Sequence, residues 1–381
     1  MLSHRERMWK AIHLEEPDMV PMTDIVIEQP LVEKITGIRV PGFSSVAPYA
    51  KEEGMEPADA LTFSLKKCQA MAQCYAKLDF DAIFITDYTQ YRPKWTPKFL
   101  DDVTYIDEWG RTFKVSEATL TTWWIPPGPI ETPEDLDAWE APDPNAEGRY
   151  TVIESIIKDY GEEYFIVGYG HDAWQFSWEL RGGMDKLIID MAENPKFAHS
   201  LIDRVTEINL GFLKGMAETG VDIICVGDDY GEAHGPLLHP RLFKEFAYPG
   251  LNRIVQTLGK RGIPVMKHSD GNNFLLMDDF IEIGIAGFHP NEPGCHDIGV
   301  MKQKYGNKLF LMGDVDCRTV LPLGTEEDTR RDVREAIDLA GEGGGLVLAS
   351  SNSFHSDVKV ENLLAFADEC RKYGKYPLKK R

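Results

Sequence analysis

Eight times along the chain a short apolar run ends in a polar residue and gives way to a helical stretch. That rhythm limits the fold more than any other feature. The runs are residues 20–24 (VPMTD), 81–87 (DAIFITD), 165–171 (FIVGYGH), 221–229 (VDIICVGDD), 263–270 (IPVMKHSD), 285–289 (IAGFH), 308–314 (KLFLMGD) and 345–352 (GLVLASSN). Most are continuously apolar rather than alternating, as expected of parallel strands buried on both faces. Amphipathic stretches such as 195–219 and 242–259 separate them, and a helix opens at Ser3 ahead of the first. Eight strands with intervening helices predict an α/β fold, a (β/α)8 TIM-type barrel; a doubly wound sheet of similar length shows similar runs.

Residues 91–150 break the rhythm. They are rich in Pro, Asp and Trp, and 103–115 (VTYIDEWGRTFKV) reads as a hairpin turning at Trp109-Gly110. The expectation is one barrel domain over 1–381 with an insertion after the second strand at about 91–150. That insertion either covers the barrel mouth or elaborates the surface.

Charge narrows the function classes. Lys plus Arg number 41 against 62 Asp plus Glu, a net charge of −21, which repels phosphate backbones and anionic lipid and argues against nucleic acid or a membrane as partner. No apolar run approaches the ~18 residues of a membrane span. MLSHRERMWK lacks the apolar core of a secretory signal, and the six cysteines include no CxxC pair, so reduced thiols in a cytoplasmic protein are expected. No Walker loop, GxSxG elbow or GxGxxG fingerprint occurs.

In barrels of this class the working residues project from the C-terminal ends of the strands. Those positions hold Asp24, Asp87, His171, Asp228, Asp229, His268, Asp270, His289, Glu292, Asp314, Asp316, Ser351 and Asn352. So many acids on one rim call for cations, hydrogen bonds or a metal, although Asp, Ser and Asn are also good helix N-caps. His268 and Asp270, at i and i+2 on an extended segment, share a face. Glu292 follows one strand later, and the three make a nitrogen/oxygen site for zinc or another divalent ion; the other reading of His268 is a hydrogen-bonded structural histidine. Cys295 is a further ligand or a buried thiol, and His355 closes over the site or sits in a solvated loop. Trp174, Phe176 and Trp178 after His171 wall an aromatic pocket or pack in the core.

The N-terminal RERMWKAIHLEEPDMVPM is similar to the opening of the uroporphyrinogen decarboxylase superfamily. DFDAIFITD around Asp87, NPKFAHSLIDRV, LHPRLFKEFAYPGLNRIV and the tail from GGGLVLASSNS to VKVENLLAF resemble it as well. The resemblance covers nearly the whole chain and implies a (β/α)8 barrel. The superfamily holds decarboxylases and methyltransferases that work with corrinoid proteins, with the cobalamin-independent methionine synthase catalytic domain a more distant relative. Decarboxylases carry an arginine-rich stretch after the first strand for a substrate with eight carboxylates. Here that place reads DIVIEQPLVEK, and the family's histidine near the last strand falls at Asn352, although Asp87 matches a family aspartate. Thiol-methylating relatives bind zinc through His-x-Cys and a later Cys. This chain has His268-Ser269-Asp270 and no cysteine in 350–353, while Glu292 falls 24 residues beyond the histidine, where the methionine synthase relative has a glutamate ligand.

The resemblance therefore implies an O-demethylase type of methyltransferase, moving a methyl group from a small-molecule methyl donor, an aryl methyl ether above all, to cobalamin carried by a corrinoid partner protein. His268, Asp270 and Glu292 are the expected ligands of zinc or another divalent metal, with Asp229, Asp87 and His171 as catalytic residues. The alternatives are a uroporphyrinogen decarboxylase, which needs no cofactor, and a noncatalytic tetrapyrrole-binding protein.

Overall fold

The computed structural model describes residues 1–39, 60–85, 98–116 and 122–378. Its centre is a curled, all-parallel sheet of seven strands in the order β1 (Ala82–Ile85), β6 (Phe165–Gly170), β7 (Ile223–Gly227), β10 (Val265–His268), β11 (Gly287–His289), β12 (Phe310–Val315) and β13 (Leu346–Ser350). Sequence order equals sheet order, and helices such as Pro195–Glu218, Tyr248–Gly259 and Glu326–Ala340 return the chain to the start of the next strand.

The first expected run behaves differently. Residues 20–24 form a single isolated bridge, Met22 to Leu348, rather than a strand, because Pro21 brings no N–H to a ladder and Asp24 turns its carboxylate onto Ser350 N at 2.9 Å. The segment still ties both edges of the sheet. Pro21 O accepts from Leu348 N and Thr23 N donates to Leu348 O on one side, while Met22 O accepts from Asp81 N and Thr23 Oγ1 donates to Ala82 O on the other.

Both faces of the sheet are buried, which explains the continuous apolar runs. Phe84, Phe165, Val167, Ile223, Cys225, Met266, Phe310, Met312, Val347 and Ala349 fill its interior, and the alternate residues pack against the helices. The N-terminal helix His4–Ile12, opened by a Ser3/Glu6 capping box, lays Met8, Ala11 and Ile12 on that interior cluster. It covers the end where the strands begin, with Arg5 N donating to Glu163 O just ahead of β6.

Between β1 and β6 lies a four-stranded antiparallel sheet, β2 (Lys98–Phe99), β3 (Thr104–Ile106), β4 (Thr112–Val115) and β5 (Thr122–Ile125), and β8 (Gly231–Glu232) pairs with β9 (Gly235–Pro236) in a short hairpin after β7. β3 and β4 form the expected hairpin, with Tyr105 opposite Phe113. Asp107 accepts from Trp109 N and Arg111 N in the turn, where Gly110 takes φ 83°. Trp109 is buried against Trp139, Phe176 and Phe212, so the turn is part of the core. Among the described residues no helix is long and apolar enough to cross a membrane, and all six cysteines are free thiols.

Candidate functional site

His268 closes β10 with its side chain buried, and its Nδ1 lies 2.8 Å from His289 Nδ1 on the next strand. One proton serves that contact, and the stacked rings, 5.0 Å apart, hold the His268 imidazole with Nε2 turned outward. There Nε2 stands 3.6 Å from Asp270 Oδ1 and 3.9 Å from Asp229 Oδ1. The donor atoms of Asp229, His268 and Asp270 all lie within 4.8 Å of one another.

The loop carrying Asp270 is tightly fixed. Asn273 Nδ2 donates to the carbonyls of Ser269, Asp270 and Gly271, and Ser269 Oγ accepts from Tyr230 N. Gly271 has φ 73°, and a β-carbon there would meet Glu232 N at 2.6 Å, so this loop and the one after β7 touch through backbone. Asp270 N donates to Asp229 Oδ1 at 2.8 Å, and Asn352 Nδ2 donates to Asp270 Oδ2 at 2.7 Å. Asp270 Oδ1 is buried without a hydrogen-bond partner. Burial, with the Asp229 and Glu292 carboxylates alongside, pushes the Asp270 carboxyl up to about 6. A buried acceptor left open beside an imidazole nitrogen and a second carboxylate suits a divalent cation.

Asp270 and Glu292 line one cavity of about 370 Å3 together with Cys295, Cys317, Arg318, Asn352 and His355. Glu292 stands outside the trio: its Oε1 pairs with Arg318 at 2.9 Å and its Oε2 accepts from Gly271 N at 3.3 Å. His355 Nε2 bonds Cys317 O at 2.7 Å, which orders the last loop against the cavity.

His171 lies on the neighbouring wall. Its Nδ1 is 2.7 Å from Asp228 Oδ1 and its ring packs on Phe176. Burial, together with the nearby Arg111 guanidinium, lowers the imidazole to about 3, so it is neutral at ordinary pH. Beneath it is a buried network that the sequence did not disclose. Lys267 Nζ pairs with Asp172 Oδ2 at 2.9 Å and donates to Asp228 O, and Tyr230 Oη donates to Asp172 Oδ1. Burial would raise the Asp172 carboxyl, but the Lys267 ammonium and the hydrogen bonds from Asp228 and Trp174 N together outweigh it and hold the group well below the usual range. Burial and the Asp172 charge push Asp228 the other way, so Asp228 keeps its proton. A lysine inside an apolar strand was the available signal, since a charge buried there needs a partner. Asp87 lies outside the described residues. Asp316 bonds Arg318 N, Thr319 N and Thr319 Oγ1, a turn-capping role.

The uroporphyrinogen decarboxylase (URO-D) family pattern matches residues 103–373. The chain belongs to the uroporphyrinogen decarboxylase family. The matched region includes His171, Asp228, Asp229, Lys267, His268, Asp270, Glu292 and Asn352, and the expected residues Asp24 and Asp87 precede it. A uroporphyrinogen decarboxylase from Mannheimia succiniciproducens is 24% identical over 262 residues, covering 65% of this chain and 70% of that protein. One from Christiangramia forsetii is 27% identical over 259 residues, covering 66% and 72%. Among solved structures, a methyltransferase from Methanosarcina mazei shares the fold with a TM-score of 0.74 at 18% identity, covering 98% of this chain and 99% of that one. A B12-independent methionine synthase from Shewanella sp. W3-18-1 follows the fold with a TM-score of 0.53 at 12% identity, over 93% and 98% of the two chains.

Proposed function

We propose that this member of the uroporphyrinogen decarboxylase family is a methyltransferase. It takes a methyl group from a methylated small molecule, an aryl methyl ether above all, and passes it to the cobalt of a separate corrinoid protein. The observation that carries the reading is the buried, unpartnered Asp270 Oδ1 beside His268 Nε2 and Asp229, at the wall of a cavity whose cation, Arg318, is already paired with Glu292. In this reading the N-terminal segment closes the seven strands into a (β/α)8 barrel by bridging both sheet edges, and the expected insertion at about 91–150 packs Arg111 3.7 Å over the Phe176 ring beside His171.

Asp229, His268 and Asp270 would hold zinc or another divalent ion, with Glu292 beside them. Such an ion supplies Lewis acidity toward an ether oxygen. The chain's own residues do the positioning: His289 aims His268, while Asn352 and Asp229 aim Asp270. The cobalt(I) electron pair forms the carbon–cobalt bond while the methyl carbon–oxygen bond breaks and its electrons stay on oxygen. No protein nucleophile is needed. A porphyrinogen with eight carboxylates would instead meet Glu232, Asp270 and Glu292 on the cavity wall.

The test mixes the protein with a cob(I)alamin-bearing corrinoid protein and a methoxylated phenol. The cob(I)alamin spectrum should give way to that of methylcobalamin while free phenol appears in step. If a panel of methyl ethers, methylamines and methanol yields no methylcobalamin and uroporphyrinogen is decarboxylated, the reading is wrong.

A further inference from the structure

β6, β7 and β10 are neighbours in the sheet, and Gly227 is the Cα partner of His268. Along β6 the side chains of Phe165 and Val167 fill the sheet interior and Tyr169 packs on the same cluster from above. Tyr169 and His268 thus stand in the uppermost interior layer, with β7 between them, and β7 contributes only Gly227 at that level. A β-carbon on Gly227 would lie 1.9 Å from Tyr169 Oη, so the phenol fills the slot left by the missing side chain. Its ring is 6.3 Å from that of His268 and 5.6 Å from that of His171. The hydroxyl lies in the field of the Asp229 and Asp270 carboxylates. No described residue takes a hydrogen bond from it. Burial first, then those neighbouring charges, push the phenol well above its usual range, so it keeps its proton.

We propose that Tyr169 is a catalytic residue of the methyl transfer, donating a hydrogen bond to the oxygen that loses the methyl group and thereby selecting donors that leave through oxygen. This role rests on the methyl-transfer reading above. An ether oxygen is a weak acceptor and a phenolate a strong one, so the bond strengthens as the carbon–oxygen bond breaks and favours the transition state over the bound ether. The broken bond's electron pair remains on oxygen, cobalt(I) supplies the pair for the carbon–cobalt bond, and the phenolate takes its proton from water on release while Tyr169 keeps its own. A quaternary ammonium donor sheds a neutral amine and gains far less from the hydroxyl.

The experiment compares Tyr169→Phe with the unsubstituted protein, using the corrinoid partner and aryl methyl ethers of decreasing phenolate basicity, with a quaternary methylammonium compound as control. With the most basic phenolate kcat should fall about 100- to 1,000-fold, the usual loss of one donor to a developing oxyanion. The penalty should shrink toward none as the leaving group becomes more acidic, with metal content and melting temperature unchanged. Should Tyr169→Phe fail to fold, Gly227→Ala displaces the hydroxyl instead and should give the same leaving-group dependence. Unchanged kcat, or one equal loss for every donor, overturns the role alone. An unsubstituted protein that moves no methyl group from any donor overturns the methyl-transfer reading and the role with it.

Discussion

Lys267→Met removes the ammonium that pairs with Asp172 beneath the site while keeping the apolar stem that carries it. Lys267 and Asp172 are 0% and 1% exposed at the side chain, so the variant leaves a carboxylate in the interior without its cation. Breaking a buried pair from one side costs about 3–5 kcal/mol. Asp172 retains the Ala173 and Trp174 N–H groups and the Tyr230 hydroxyl, which places this case near the lower end, at about 3 kcal/mol. An unfolding entropy of about 2.1 cal/mol/K per residue gives roughly 0.8 kcal/mol/K for 381 residues, so the melting midpoint should fall by about 4 °C. Thermal unfolding followed by circular dichroism measures it. The double variant Lys267→Met, Asp172→Asn removes both charges and should recover most of the loss. A single variant within about 1 °C of the unsubstituted protein, or a double variant less stable than the single, refutes the argument.

Metal titration calorimetry should show that His268→Ala, Asp229→Asn and Asp270→Asn each weaken divalent-ion binding by about 100-fold or more, while Glu292→Gln, whose carboxylate already serves Arg318, costs less; equal losses for all four would place Glu292 among the ligands. Trp109→Ala should destabilise by about 3–5 kcal/mol, because the ring is buried against Phe176 and Phe212, and denaturant unfolding that shows under about 1 kcal/mol would move the hairpin out of the core. Burial, aided by the Asp332 carboxylate, raises Asp314 to about 8, so the folded state holds a proton that the unfolded chain loses near pH 4. The stability tied to that proton is present below about pH 4 and lost as pH rises to about 8. Asp314→Asn should therefore melt higher than the unsubstituted protein at pH 8.5 and show a smaller difference at pH 5; the same difference at both pH values would count against this.

Strand positions were legible because burial on both faces writes a continuous apolar run, and seven of the expected runs are the seven strands of the curled sheet. Residues 20–24 carry the same pattern, but Pro21 and Asp24 make their bonds to the sheet edges through an isolated bridge and a side chain, which periodicity does not encode. His268 and Asp270 were legible from spacing on one extended segment. Asp229 entered the trio through its contact with Asp270 N, a pairing between loops of adjacent strands 41 residues apart that i, i+2 arithmetic does not reach. Asn352, noted in the sequence for replacing a histidine, proves to be the donor that orients Asp270. Tyr169 was hidden because an aromatic residue in an apolar strand reads as core; what sets it apart is the glycine on the neighbouring strand.

The segment that ties the sheet edges has a consequence for the order of folding. Asp24 accepts from Ser350 N across 326 residues, and Pro21 and Thr23 meet Leu348. During synthesis at about 5–20 residues per second, the segment around Met22 therefore waits roughly 16–65 s before its partner on β13 is made. Through that interval Met22, Ile25 and Ile27, all buried in the finished protein, lack the β13 edge that pairs with the segment. A late-made strand thus completes an early-made segment, and a truncation before residue 346 would leave β12 and the segment around Met22 facing each other as two unpaired sheet edges.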